Sequence, residues 1–151
     1  MSQTLNPAAD DFQRLRDSFA QQTAMRTLGI EIHHIKSGEI ELGMPYQTQL
    51  CQQHGFIHAG ISTAALDSAC GYAAFTLMPE DSGILTVEFK TSLLAPAQGE
   101  EFRFRGKVLR PGRQLYFSQG EAYALLQGEE RLIATMSATL MCIQGREHIK
   151  N

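Results

Sequence analysis

Charge is missing where a surface helix would need it. Between Gly55 and Pro79, in the run GFIHAGISTAALDSACGYAAFTLMP, Asp67 is the one formally charged side chain. Solvent-facing helices carry Lys, Glu and Arg along one side, so this segment is expected to be a helix buried almost all round. Ala59–Met78 approaches the length of a membrane span, but Asp67, Gly71 and several hydroxyls make it a poor one, so no membrane association is expected. Cysteine is scarce too. Cys51, Cys70 and Cys142 are an odd number without a Cys-x-x-Cys pair, which points to reduced thiols and a cytoplasmic protein. Cys51, His54 and His58 stand at C-x2-H-x3-H spacing, yet no second cluster completes four ligands, so neither a metal site nor a cofactor is expected. The start, MSQTLNPAADDFQRLRD, has no basic stretch followed by an apolar one, and no signal peptide is expected. A net charge of −3 argues against a general nucleic-acid binder. There is no repeat, low-complexity tract or linker. Residues 1–151 read as one domain: an N-terminal helical segment (1–28), a core (29–143) and a tail (144–151).

The chain also carries clear local signals. Asn6-Pro7 opens a first helix as cap and first residue, with Asp10 and Asp11 at its positive end. Phe12, Leu15 and Phe19 recur at helical spacing while Arg14, Arg16 and Asp17 face away, and the helix runs to about Gly29. IEIHHI and EIELGMPY flank Lys36-Ser37-Gly38 as a β-hairpin. Gln47–Ile57 is loop, and the apolar helix follows, ending before Pro79. Then come four strands, ILTVEFKTSLL, EEFRFRGKVLR, QLYFSQGEAYALL and RLIATMSATLMCI, separated by Gly- and Pro-bearing turns. The expected class is α+β: a curved antiparallel sheet wrapped around a long central helix, with an extra N-terminal helix. Such a sheet leaves open edges, so pairing with a second copy is expected.

A carboxylate in an apolar helix is costly unless it is paired, hydrogen-bonded or used. Hydroxyls of Ser62, Thr63 or Ser68 could satisfy Asp67 and give it a purely structural part. Two turns earlier His58-Ala59-Gly60 marks the helix start. In this pattern the sequence resembles the hotdog-fold acyl-CoA thioesterases, specifically the phenylacetyl-CoA thioesterase-like branch. That branch shows an Asn, a Gly, a His-Gly-Gly turn, then a helix with an acidic residue followed by Gly. The corresponding run here is Gln52-Gln53-His54-Gly55-Phe56-Ile57-His58-Ala59-Gly60, then Asp67 and Gly71. Gln52 stands in the place of the Asn and Ala59 in that of the middle Gly. ILTVEFKTSLLAPAQGEEF resembles the family's strand ending in a Pro-containing turn, and Thr86 falls where relatives place a Ser or Thr near the carboxylate.

The resemblance implies hydrolysis of an acyl-CoA thioester to a free acid and CoA. Amides at the helix start, on Ala59 and Gly60, would polarise the carbonyl. Asp67 would activate water or attack directly. Thr86 would bond the carboxylate or the water, Gln52 would position water or substrate, and His58 would brace the turn or assist the carbonyl. Seven residues at about 1.5 Å each put Gly60 and Asp67 roughly 10 Å apart on one helix. If both act on one carbonyl they come from different copies, so a homodimer, or a dimer of dimers, is implied. Arg103, Arg105 and Lys107 alternate along one strand face, with Arg110 and Arg113 just beyond. They are either a solvated face or a contact for the CoA phosphates. Phe102 and Phe104 would then face the core, and Phe56, Tyr72, Phe75 and Leu77 would line an acyl tunnel or fill the interior. Two other functions fit the same fold: a noncatalytic acyl-CoA-binding or sensing dimer, and a hotdog dehydratase or hydratase. Acyl identity, and CoA against carrier-protein thioesters, stay open.

Overall fold

Alternating apolar and polar residues build one sheet in the computed structural model, which describes residues 12–151. Its strands are β1 (Glu31–Lys36), β2 (Glu39–Pro45), β3 (Ser82–Leu93), β4 (Glu101–Pro111), β5 (Leu115–Leu126) and β6 (Glu129–Gln144). All neighbours are antiparallel, in the order β1-β2-β4-β5-β6-β3. The Gly38 turn makes a β1–β2 hairpin, and β4, β5 and β6 follow one another as a meander. β3, made before them, closes the far side as an edge strand.

The inward residues of every second position meet one helix. The expected buried helix forms over Ala59–Phe75 and packs against β2, β3, β4, β5 and β6. Its last two turns, Ser68 to Phe75, are wholly buried, while Thr63, Ala64 and Asp67 keep partial exposure. Two paired glycines let it sit low. Gly106 of β4 faces Gly120 of β5. A Cβ on Gly106 would lie 2.2 Å from the Ala69 carbonyl oxygen, and one on Gly120 would lie 2.9 Å from Cys70 Sγ. Leu42, Leu66, Phe102, Phe104 and Leu140 fill the space between sheet and helix. Met25, Met44, Met78 and Met136 are buried filler, as their irregular shape suits them to be. This is the hotdog arrangement the sequence suggested.

The N-terminal segment differs from expectation. Asn6-Pro7 lies outside the described residues, and the described part forms two helices rather than one, α1 (Gln13–Gln21) and α2 (Thr23–Thr27). The break is at Gln22, whose backbone is extended at φ −73°, ψ 93°. Its carboxamide donates to Tyr72 Oη at 3.3 Å and accepts from Ser68 Oγ at 3.2 Å. Leu15 and Phe19 are buried as the spacing predicts. Arg14 does not face away. Its guanidinium lies 4.0 Å from the Phe75 ring centroid and donates to the carbonyls of Pro79 and Glu80. The central helix, α3 hereafter, is thus tied at its C-terminal end to α1. Gln47–Ile57 is irregular, apart from a 3-10 turn at Thr48–Leu50 and a bridge between Cys51 and Ile57.

Candidate active site

The carboxylate finds its partner on a strand rather than on its own helix. Thr86 Oγ1 donates to Asp67 Oδ1 at 2.8 Å. None of the three helix hydroxyls takes that place: Ser68 donates to Gln22, and Ser62 Oγ is buried without a partner. A bulge in β3 sets Thr86 up. The β3–β6 register slips between Thr86 and Glu88, so Ile84 and Thr86 point inward before the slip and Phe89, Thr91 and Leu93 after it. Bulges re-aim side chains in this way. Burial pushes the Asp67 carboxyl above its ordinary value of 3.8, and the Thr86 hydrogen bond pulls part of the way back. Deep burial, with the same carboxylate nearby, drives the Cys70 thiol up to about 12, so Cys70 stays protonated.

At the other end of α3, His58 is the N-cap. Its Nδ1 accepts from the Gly60 amide at 2.9 Å. An accepting Nδ1 places the proton of the neutral ring on Nε2. The His58 carbonyl accepts from Ile61 at 2.9 Å and Ser62 at 3.4 Å. Gly60 is therefore spoken for, and Ala59 holds the amide left without an acceptor among the described residues. Ala59 takes ordinary helical backbone, so alanine replaces glycine there at no conformational cost.

A groove of about 480 Å³ lies against this helix start. Gln52, Phe56, Ala59 and Ser62 form one wall, and Leu93 to Ala97 with Ile133 and Ala134 form the other. Gln52 is held by its own loop: its Oε1 accepts from the His54 amide, and its backbone bonds Phe56 at 2.8 Å. Of the four aromatic and apolar candidates for an acyl tunnel, Phe56 lines this groove. Tyr72 and Phe75 are core, and Leu77 is exposed. The second wall was not foreseen from the sequence. Leu93 and Ala134 meet through strand register, which leaves no local signal in the chain. Within the chain, Gln52 and Ala59 line the groove, His58 and Gly60 adjoin Ala59 at the helix start, and Asp67, further along the helix, pairs with Thr86 of β3. No ion pair or hydrogen bond joins the two groups among the described residues.

The basic stripe does share a face, with Phe102 and Phe104 fully buried behind it. Its first three members are engaged. Arg103 meets Glu41 at 3.1 Å, Arg105 meets Glu41 at 2.7 Å and Glu130 at 2.6 Å, and Lys107 meets Glu39 at 3.3 Å. Arg105 also lies 4.6 Å from the Tyr123 ring centroid. Arg110 and Arg113, on the exposed β4–β5 hairpin, form no salt bridge among the described residues. Among those residues no cluster of His, Cys, Asp or Glu could hold a metal, and no helix is long and apolar enough to cross a membrane.

Residues 54–129, from the cap region through β5, match the sequence profile of the Thioesterase superfamily. The chain belongs to the thioesterase superfamily. A thioesterase family protein from Silicibacter pomeroyi is 56% identical, with a TM-score of 0.88 over 89% of this chain and 99% of that one. The E. coli PaaI protein, from the phenylacetic acid degradation operon, superposes with a TM-score of 0.79 at 19% identity, over 89% of this chain and 94% of its own. At that identity the likeness speaks for the fold. A Halobacterium salinarum protein whose name proposes an esterase is 29% identical over 98 residues, 61% of this chain. The match spans 65% of that relative's length. In this superfamily member the profile match takes in His58, Asp67, Thr86 and the whole of α3.

Proposed function

We propose that the protein hydrolyses acyl-CoA thioesters, using a carboxylate from one protomer and a helix-start amide from the other. The observation that carries this reading is the Asp67–Thr86 pair. It is a half-buried acid with a raised pKa, held by one hydroxyl, on the same helix as an uncommitted amide that it cannot reach. Ala59 and Asp67 are eight residues apart, or about 12 Å along α3. A carbonyl polarised by the one can be attacked with help from the other only across a two-fold axis.

The exposed face of β3 favours that axis. Phe89 and Leu93 point to the helix side of the sheet yet remain 44% and 59% exposed, on an edge with no strand beyond it. Long apolar edges are templates for pairing. Two β3 strands pairing antiparallel would set Leu93 and the groove of one copy beside Thr86 and Asp67 of the partner subunit. The acyl chain would then lie in the apolar groove, its carbonyl oxygen accepting from Ala59 N–H. Asp67 of the partner subunit, ionised once pH exceeds its raised pKa, would take a proton from water or add to the carbonyl carbon. The tetrahedral centre collapses by breaking the C–S bond, which releases the free acid directly when water is the nucleophile; when Asp67 itself adds, it leaves an acyl anhydride on Asp67 that water then hydrolyses to the acid and the free carboxylate. The thiolate of CoA leaves readily, so no strong general acid is needed. Gln52 Nε2, without a partner among the described residues, would donate to the water or the acyl group, and His58 would serve as the cap that fixes the turn. Arg110 and Arg113, free of carboxylates among the described residues, are the basic residues we assign to the CoA phosphates. Arg103, Arg105 and Lys107 would reach phosphate only by giving up Glu39, Glu41 and Glu130.

The test is release of free thiol from a panel of acyl-CoAs by the wild type and an Asp67→Asn variant. The expected outcome is turnover of at least one thioester, reduced by about 10²- to 10⁴-fold in a folded variant. Near-normal hydrolysis by the variant would refute the role of Asp67. Tight binding with no turnover by the wild type would favour the sensing dimer.

A further inference from the structure

The groove is apolar except at two places, Gln52 and Ser62. Ser62 stands out chemically. It is 2% exposed, belongs to the groove wall, and its Oγ has no hydrogen-bond partner among the described residues. A buried hydroxyl without a partner is costly, and a serine in a helix can relieve it by bonding the carbonyl four residues back. Here that carbonyl belongs to His58 and accepts from the Ile61 and Ser62 amides instead. The neighbouring walls, Phe56, Ile57, Leu93 and Ile133, offer it nothing polar. Gln52 already spends its Oε1 on the His54 amide.

We infer that Ser62 is a specificity-determining residue that meets a polar atom of the substrate. This rests on the thioesterase reading above and names the acyl class for it. Ser62 is three residues past Ala59, about 4.5 Å along α3 from the amide assigned to the thioester carbonyl. An extended acyl chain crosses that distance in three or four bonds. The group that satisfies Ser62 is therefore an oxygen on or next to the third carbon of the acyl chain, as in 3-hydroxyacyl and 3-oxoacyl thioesters. A plain alkanoyl chain would leave the hydroxyl buried and unpaired, and sites built around a polar contact reject analogues that lack it.

The experiment compares kcat/KM for 3-hydroxybutyryl-CoA and butyryl-CoA in the wild type and in Ser62→Ala, with Ser62→Thr as the variant that keeps the hydroxyl. The wild type is expected to prefer the hydroxylated substrate by about tenfold or more. Ser62→Ala should bring the ratio close to unity, and Ser62→Thr should restore most of it. Equal ratios in wild type and Ser62→Ala, or a wild type that prefers butyryl-CoA, would overturn the inference while leaving the thioesterase reading intact. Hydrolysis of neither substrate, nor of any acyl-CoA in the wider panel, would overturn both. A general folding defect would lower both substrates together and leave the ratio at its wild-type value, which counts against Ser62 as a specificity residue.

Discussion

Asp67 lives between two opposing influences, and pH tells them apart. Burial raises its pKa and the Thr86 hydroxyl lowers it again. If the carboxylate does the chemistry, kcat/KM climbs as pH rises through that raised value. Thr86→Val removes the lowering contact, so its acid limb is expected at higher pH than that of the wild type; a pH–rate profile of each checks it. Stability runs the other way. A carboxyl whose folded pKa lies above its unfolded one costs stability when it ionises. The cost is absent below the unfolded value, near 3.8, and complete once pH has passed the folded value. The melting temperature of the wild type should therefore fall relative to Asp67→Asn across that window. That Asp67 needs a partner was legible in the chain, because an acid in an apolar helix must be accounted for. Its partner was visible only through the family resemblance, since Thr86 lies 19 residues away on another element. The pairing of Arg103, Arg105 and Lys107 was hidden for the same reason: Glu39 and Glu41 reach them by strand register from β2, and Glu130 reaches Arg105 from the start of β6. A basic stripe in a sequence says nothing about which acids the sheet lays beside it.

At the scale of elements, α3 was read almost to its ends from composition, its cap from His58 and its stop from the residues before Pro79. Alternation located all six strands. It could not show the bulge at Val87, because a one-residue slip changes which face each side chain takes without changing the composition of the strand. Nor did helical spacing show the break at Gln22, where a tertiary contact with Tyr72 and Ser68 goes with extended backbone. The seat of α3 is the sharpest packing constraint. Gly106→Ala would drive a methyl into the Ala69 carbonyl, a contact with backbone that cannot swing aside. It should destabilise the fold by about 3 kcal/mol, near the top of the range for overpacked cores, and denaturant titration measures it. A comparable change at Gly128, where nothing lies within 4 Å of the added Cβ, provides the control for crowding. Positive φ there leaves only the conformational cost.

For the whole molecule, the proposed site is complete only where the β3 edges of two copies pair. Phe89→Asp places a charge in the middle of the face that would meet a second copy, on a side chain already 44% exposed. The folded monomer should tolerate it, while light scattering after size exclusion should show loss of the dimer together with loss of hydrolysis. An active monomer would contradict a shared site. The most direct measurement is complementation. Asp67→Asn removes the carboxylate. Ala59→Pro removes the amide without spoiling the helix, because proline suits the first helical position and His58, at φ −59° and ψ 136°, already has the backbone that precedes a proline. Each variant alone should be nearly inactive. Mixed in equal amounts and reassembled, half the dimers would be mixed and each would own one intact site, so thioester hydrolysis should return to about a quarter of the wild-type rate. A mixture as inactive as its parts would show that the acid and the amide serve the same chain, and the shared site would be contradicted.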